Sequence, residues 1–182
     1  EPLANAVHAN GLVGDHVTRV GVIGAGPIGL ACGLVATHAG RKVMIADTSP
    51  ERRSTAGSLG LHNAETLDGE FDAIIDAVGI PVSRQASVSA IRPGGTAVWI
   101  GLAVDEVELS GNSLVREEKR ITGSFAYTPE EFETAIGLAA VVDLSWTTDV
   151  PLSGSAEAFL ALAGGERSMV KAVIVPDAEA HG

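Results

Sequence analysis

The residues whose types and spacing could do chemistry are few, and the most informative are small. Gly24-Ala25-Gly26-Pro27-Ile28-Gly29 has the G-x-G-x-x-G spacing, and Asp47 follows roughly 20 residues on. In that pattern Gly24 lets the chain turn tightly, Gly26 removes the Cβ that would hold a diphosphate away, and Gly29 permits close packing of a helix. Pro27 has no amide hydrogen to waste in a first helical turn. The free amides and positive dipole end of that helix then face an anion. An acid at the position of Asp47 accepts the two hydroxyls of an adenosine ribose. The competing reading makes it a cap for the next helix. Bond-making chemistry is poorly represented. His8, His16, His38, His62 and His181 are dispersed without a ligand spacing, and no G-x-S-x-G elbow or Walker lysine loop occurs. The single tyrosine, Tyr127, lacks a Tyr-x-x-x-Lys partner.

The flanking elements give the glycine motif its context. Arg19-Val20-Gly21-Val22-Ile23 reads as a strand buried on both faces, and Ile28, Ala31, Cys32 and Val35 recur at helical spacing. Lys42-Val43-Met44-Ile45-Ala46 is a second strand with Asp47 at its carboxyl end. Ser49 caps and Pro50 starts the next helix, whose Arg52 is long enough to stack over an adenine. A solvated face is the plainer role for Arg52 and Arg53. Further strands are predicted over 71–79, 96–100, 120–124 and 171–175, with 104–109 a weak edge piece and 146–152 extended. Helices are predicted over 83–91, from Pro129 with Phe132, Ala135 and Ile136 on one face, and over 156–163. Arg92-Pro93-Gly94-Gly95 reads as a stop, and 61–69 is ambiguous. The alternation argues an α/β fold with a parallel sheet covered on both sides.

The chain has 182 residues and is 46% hydrophobic, which suits one domain with a full core. Its net charge of −11 and scattered Lys and Arg disfavour nucleic acid. Val20 to Gly40 carries no Asp, Glu, Lys or Arg, yet its internal glycines and Pro27 split it, so a buried α/β unit explains it better than a membrane span. No secretory signal is recognisable. Cys32 cannot form an internal disulfide and reads as core filler, consistent with a reducing cytoplasm. The first residue is Glu1, which suggests a piece of a longer protein.

The ordered series Glu1-Pro2-Leu3, Gly24-Ala25-Gly26-Pro27-Ile28-Gly29-Leu30, Asp47 with Arg52, Ala77-Val78-Gly79, Arg92-Pro93-Gly94-Gly95, Gly101-Leu102, Gly123-Ser124-Phe125 and Lys171-Ala172-Val173-Ile174 resembles the zinc-dependent medium-chain alcohol dehydrogenases, especially the polyol and threonine dehydrogenase branch. The resemblance implies a Rossmann-type doubly wound, mainly parallel six-stranded sheet. It also implies NAD-linked oxidation of a secondary alcohol or reduction of a ketone, and homodimers or tetramers through the sheet edge. Residues 1–18 would connect from a missing N-terminal catalytic domain, 19–144 would form the NAD-binding domain, and 145–182 would pack back on it. By the same resemblance Gly24, Gly26, Pro27, Ile28 and Gly29 hold the pyrophosphate, Asp47 the ribose and Arg52 the adenine side. Val78, Gly79, Ile100, Gly101, Leu102, Phe125 and Ala126 line the nicotinamide end, and Lys171 reaches the cofactor phosphates or merely solubilises a strand edge. Glu1 falls at a glutamate near the catalytic zinc. Its usual Cys and His companions are absent, so zinc belongs to the full-length enzyme and no catalytic residue is assigned here. The family usually has a longer strand-helix connection after Leu61, which leaves the third strand and its helix open.

A 2′-phosphate beside Asp47 meets a like charge, worth about 1 kcal/mol in water and about 4 in a partly buried site, so NAD is expected over NADP. The expectation is the cofactor-binding part of an NAD-dependent dehydrogenase, inactive alone. The alternatives are a zinc-free NADPH quinone or enoyl reductase domain and a non-catalytic dinucleotide sensor.

Overall fold

The structure is a computed structural model, and it describes residues 1–177. His181 and the end of the expected return segment lie outside the described residues. In chain order the elements are α1 (Pro2–Gly11), β1 (Arg19–Ile23), α2 (Pro27–His38), β2 (Lys42–Ala46), α3 (Pro50–Ser58), β3 (His62–Ala64), β4 (Phe71–Asp76) and α4 (Pro81–Ser89). There follow β5 (Ile91–Trp99), α5 (Gly111–Arg116), β6 (Arg120–Gly123), α6 (Pro129–Ala139), β7 (Thr147–Pro151), a 3-10 turn, α7 (Ser155–Ala163) and β8 (Lys171–Val175). Six strands form one sheet in the order β3-β2-β1-β4-β5-β6, every neighbouring pair parallel. The fold is therefore the α/β Rossmann-type sheet. β7 and β8 pair in a separate two-stranded parallel sheet.

Both faces of the large sheet are covered, which is why its strands read as continuous apolar runs. On one face Val20, Val22, Ile45, Ile75 and Val98 pack with Leu30 and Ala31 of α2, Ala6 of α1 and Ala135 of α6. On the other, Phe71, Ile74 and Ala97 pack with Val88 of α4 and Ile91. Helix α1 is more than a connector: Ala4, Ala6 and Ala9 are fully buried, and Asn10 Nδ2 donates to the carbonyls of Ala6 and Cys32 at 2.9 and 3.1 Å. Burial pushes the Cys32 thiol up to about 12, so it is an inert part of this core.

One open point is resolved and several local expectations are corrected. The third strand exists but has three residues, and the chain runs from it to β4 without a helix. Residues 104–109 are not a strand, and they lead into the six-residue α5, too short to show a period. Arg92-Pro93-Gly94-Gly95 does not separate helix from strand, because β5 runs through it with a register shift opposite Phe71 and Ala73. Helix α6 turns Ala135 inward and leaves Phe132 and Ile136 exposed. That rotation lets Glu131 accept from His8 Nδ1 at 3.0 Å on α1 while it caps its own helix by accepting from Thr128 N at 2.7 Å. The Thr128 amide, then the His8 ring, hold the Glu131 carboxyl below its ordinary range. No helix among the described residues is long and apolar enough to cross a membrane.

Candidate functional site

Register aligns the ends of the strands. Ile23 lies opposite both Ala46 and Asp76, Asp76 opposite Trp99, and Trp99 opposite Gly123. The loops that begin at Gly24, Asp47, Ala77, Ile100 and Ser124 therefore leave one edge of the sheet side by side. The strand order reverses between β1 and β4, and that reversal opens a crevice at the carboxyl ends.

At the centre of the crevice the glycine turn is bare because nothing else fits. A Cβ on Gly29 would lie 1.7 Å from the carbonyl oxygen of Gly24, so α2 can start directly under the turn only with glycine there. Around Gly26 the nearest atom to such a Cβ is Arg52 Nη1 at 3.9 Å, which leaves the backbone open to a ligand. Pro27 and Ile28 form the half-buried first turn of α2. A cradle that a Cβ would fill, at a helix N-terminus, fits a diphosphate.

Asp47 closes one side of the turn. Its Oδ2 accepts from Ala25 N at 2.8 Å and its Oδ1 from Ser49 N at 2.8 Å. The carboxylate thus serves the glycine turn and the start of α3 together, and each oxygen retains acceptor capacity. Arg52 Nη1 lies 3.7 Å from Oδ2, while Arg52 Nε is buried without a hydrogen-bond partner. Arg53 instead donates to the Asp47 carbonyl at 2.7 Å, which occupies it structurally. Beside them is a cavity of about 330 Å³ whose walls include Asp47, Thr48, Arg52, Leu67, Val82 and Ala86.

On the other side of the glycine turn, Val78-Gly79 and Ile100-Gly101-Leu102 are locked together. A Cβ on Gly79 would lie 2.2 Å from the Gly101 carbonyl carbon, and one on Gly101 would lie 2.3 Å from that of Val78. Asp76, fully buried, holds this arrangement from below. Its Oδ1 accepts from the amides of Val78 and Gly79 at 2.9 and 3.1 Å, and its Oδ2 from Ser83 Oγ at 2.9 Å. Arg84, buried and 5.1 Å from the centre of the Trp99 ring, donates to the carbonyls of Asp105 and Gly101 at 2.9 and 3.3 Å. Beyond this frame Leu102 and Phe125 are 76% and 81% exposed. Ala126 has φ +56°, a left-handed conformation costing about 1 kcal/mol for a residue with a Cβ.

Sequence reasoning missed Asp76, Ser83 and Arg84. Asp76 carried a usable signal, since an acid inside the apolar run Phe71–Val78 needs partners if it is buried. Lys171 opens β8 opposite Thr147 and is not among the residues lining the cavity. Glu1 is exposed and accepts from Asn5 Nδ2 at 2.9 Å. No group of three or more His, Cys, Asp or Glu among the described residues is placed to hold a metal ion, so these residues do not fit a zinc site.

A family profile described as zinc-binding dehydrogenase matches residues 27–141. The L-galactonate-5-dehydrogenase of Escherichia coli is 33% identical over an alignment covering 96% of this chain and 57% of that protein. Among solved structures, L-idonate 5-dehydrogenase from Escherichia coli superposes with a TM-score of 0.85 at 29% identity, covering 96% of this chain and 55% of the other. For 2R,3R-butanediol dehydrogenase from Bacillus subtilis the TM-score is 0.86 at 24% identity, covering 97% and 56%, a likeness of fold. The chain thus spans about half the length of these relatives.

Proposed function

The chain belongs to the zinc-binding dehydrogenase family, and from that membership and the crevice we propose that it is the dinucleotide-binding half of an NAD-dependent alcohol or polyol dehydrogenase. The observation that carries the reading is Asp47, held by Ala25 N and Ser49 N beside a glycine turn with no Cβ in the way. Bound NAD would supply the hydride acceptor. The turn at Gly24 to Gly29 receives its diphosphate on backbone amides, and Asp47 accepts from the adenosine ribose hydroxyls. Val78, Gly79, Ile100, Gly101, Leu102, Phe125 and Ala126 would line the nicotinamide end. Asp76 and Arg84 keep the Gly79 and Gly101 backbones from moving. Zinc and the substrate-polarising groups lie outside this set of residues, and the chain alone does no turnover. The edge of β6, which pairs with no further strand among the described residues, is the surface on which a second copy adds its own sheet.

Preference for NAD over NADP follows from the charge on Asp47. Isothermal titration of the folded chain is expected to give NADH binding at least about tenfold tighter than NADPH. Equal affinities overturn the role of Asp47, and no binding of NADH overturns the whole reading.

A further inference from the structure

Arg167 lies far from the glycine turn in sequence, yet it shares the wall of the 330 Å³ cavity with Asp47, Thr48 and Arg52. It also lines a wider cleft of about 850 Å³ between the start of α3 (Thr48 to Glu51) and the turn after α7. Arg167, an exposed residue, is thus common to the walls of both.

The turn that presents Arg167 is well held. Glu166 N donates to the Ala161 carbonyl at 2.9 Å and Gly164 N to that of Leu160 at 2.8 Å. The Glu166 carboxylate accepts from Arg167 N at 2.7 Å and Ser168 N at 2.8 Å. Among the described residues the Arg167 guanidinium has no hydrogen-bond or ion-pair partner. In the wider cleft it faces Glu51, whose carboxyl is held below its ordinary range first by the Ser49 hydroxyl and less by the Arg167 charge. A planar cation on an anchored backbone thus shares a slot whose wall sets apolar Leu67, Val82, Ala86 and Ala90 beside charged Asp47, Arg52 and Glu65. The slot lies at the small end of ligand pockets, a size that suits a nucleoside and not a whole dinucleotide. Apolar walls select a flat ring over a second phosphate, and a guanidinium stacks on such a ring.

We propose that Arg167 is a nucleotide-binding residue that closes the adenosine pocket by stacking over the purine, so that the segment after α7 completes a site begun by β2 and α3. This rests on the dinucleotide reading above and extends it to a part of the chain outside the large sheet. The experiment is titration of wild type, Arg167→Ala and Arg167→Lys with AMP and with NADH. Wild type binds both, and Arg167→Ala weakens both by the same factor, about five- to tenfold, at unchanged melting temperature. Arg167→Lys recovers only part of the loss because it keeps the charge without the plane. Arg167→Ala binding AMP within twofold of wild type overturns the inference and leaves the dinucleotide reading standing. Complete recovery by Lys overturns stacking, since a point charge would then suffice. Failure of wild type to bind either ligand overturns both readings.

Discussion

The two sides of the crevice are built differently. On the side proposed for adenosine the chain brings charge and enclosure: Asp47 with an 8% exposed side chain, Arg52 3.7 Å from it, and a walled cavity. On the side proposed for the nicotinamide it brings backbone geometry alone, fixed from beneath by Asp76 and Arg84 and open above at Leu102 and Phe125. The contrast assigns affinity to the first side and positioning to the second. A ligand gains directed hydrogen bonds at Asp47, whereas at Gly79 and Gly101 it gains only a surface of defined shape.

The strongest test breaks both sides at once through their glycines. Gly29→Ala and Gly79→Ala each place a Cβ against backbone, at 1.7 and 2.2 Å, and backbone cannot move aside as a side chain can. Each is expected to cost about 3 kcal/mol in urea unfolding and to abolish NADH binding. Separation of the two sides should appear next, in Asp47→Ala. Removing a charged acceptor is worth about 2 kcal/mol, so NADH should weaken roughly thirtyfold while NADPH changes much less. If titration shows Leu102→Ala costing as much, affinity is shared evenly and the contrast fails.

Asp76→Asn probes the frame beneath the proposed nicotinamide site. It keeps one acceptor oxygen but turns an amide toward Ser83 or toward the two backbone amides, for an expected loss of about 2 kcal/mol of stability. AMP affinity should fall less than NADH affinity, because the carboxylate reaches the cavity beside Asp47 only through two of its wall residues, Ser83 and Val78. A fall in AMP affinity comparable with that for NADH would couple the two sides.

A smaller effect is expected at the opposite edge of the sheet, where Asp72 joins the entry to β1 to the start of β5. Arg92 Nε at 2.6 Å, then the amides of Arg19 and Thr18, hold its carboxyl well below the ordinary range. Its folded pKa is depressed, so its contribution is complete above the unfolded value of about 4 and is lost as pH falls toward the folded one. Urea midpoints measured downward from pH 5 should drop in wild type and drop less steeply in Asp72→Asn. The separation of the curves should be about 1 to 2 kcal/mol at pH 5 and should shrink with acid. Least of all, Leu102→Ala and Phe125→Ala should leave NADH affinity within about twofold, since exposed side chains in an open crevice desolvate little.

Where local chain physics decides, the amino-acid pattern is readable. β1, α2, β2, α3 and α7 lie within a few residues of their expected positions because each is set by an apolar period, a proline or a capping serine. β3 and α5 carry three and six residues, fewer than a period needs to declare itself. The apolar face of α6 is legible, but its pattern does not say which of its residues turns inward, and close packing on α1 selects the small Ala135 over Phe132 and Ile136.

By itself the sequence determined the glycine turn, the carboxylate one strand later and the parallel α/β character, all consequences of steric rules acting over a few neighbouring residues. Tertiary structure alone decided that Asp76 would turn inward to hold two amides, that Arg84 would tie down the loop after β5, and that Arg167 would share the wall of the cavity beside Asp47. Those groups are separated along the chain from what they touch. Their encounter depends on strand register, on the reversal of strand order between β1 and β4, and on where the segment after α6 comes to rest, which no local rule contains.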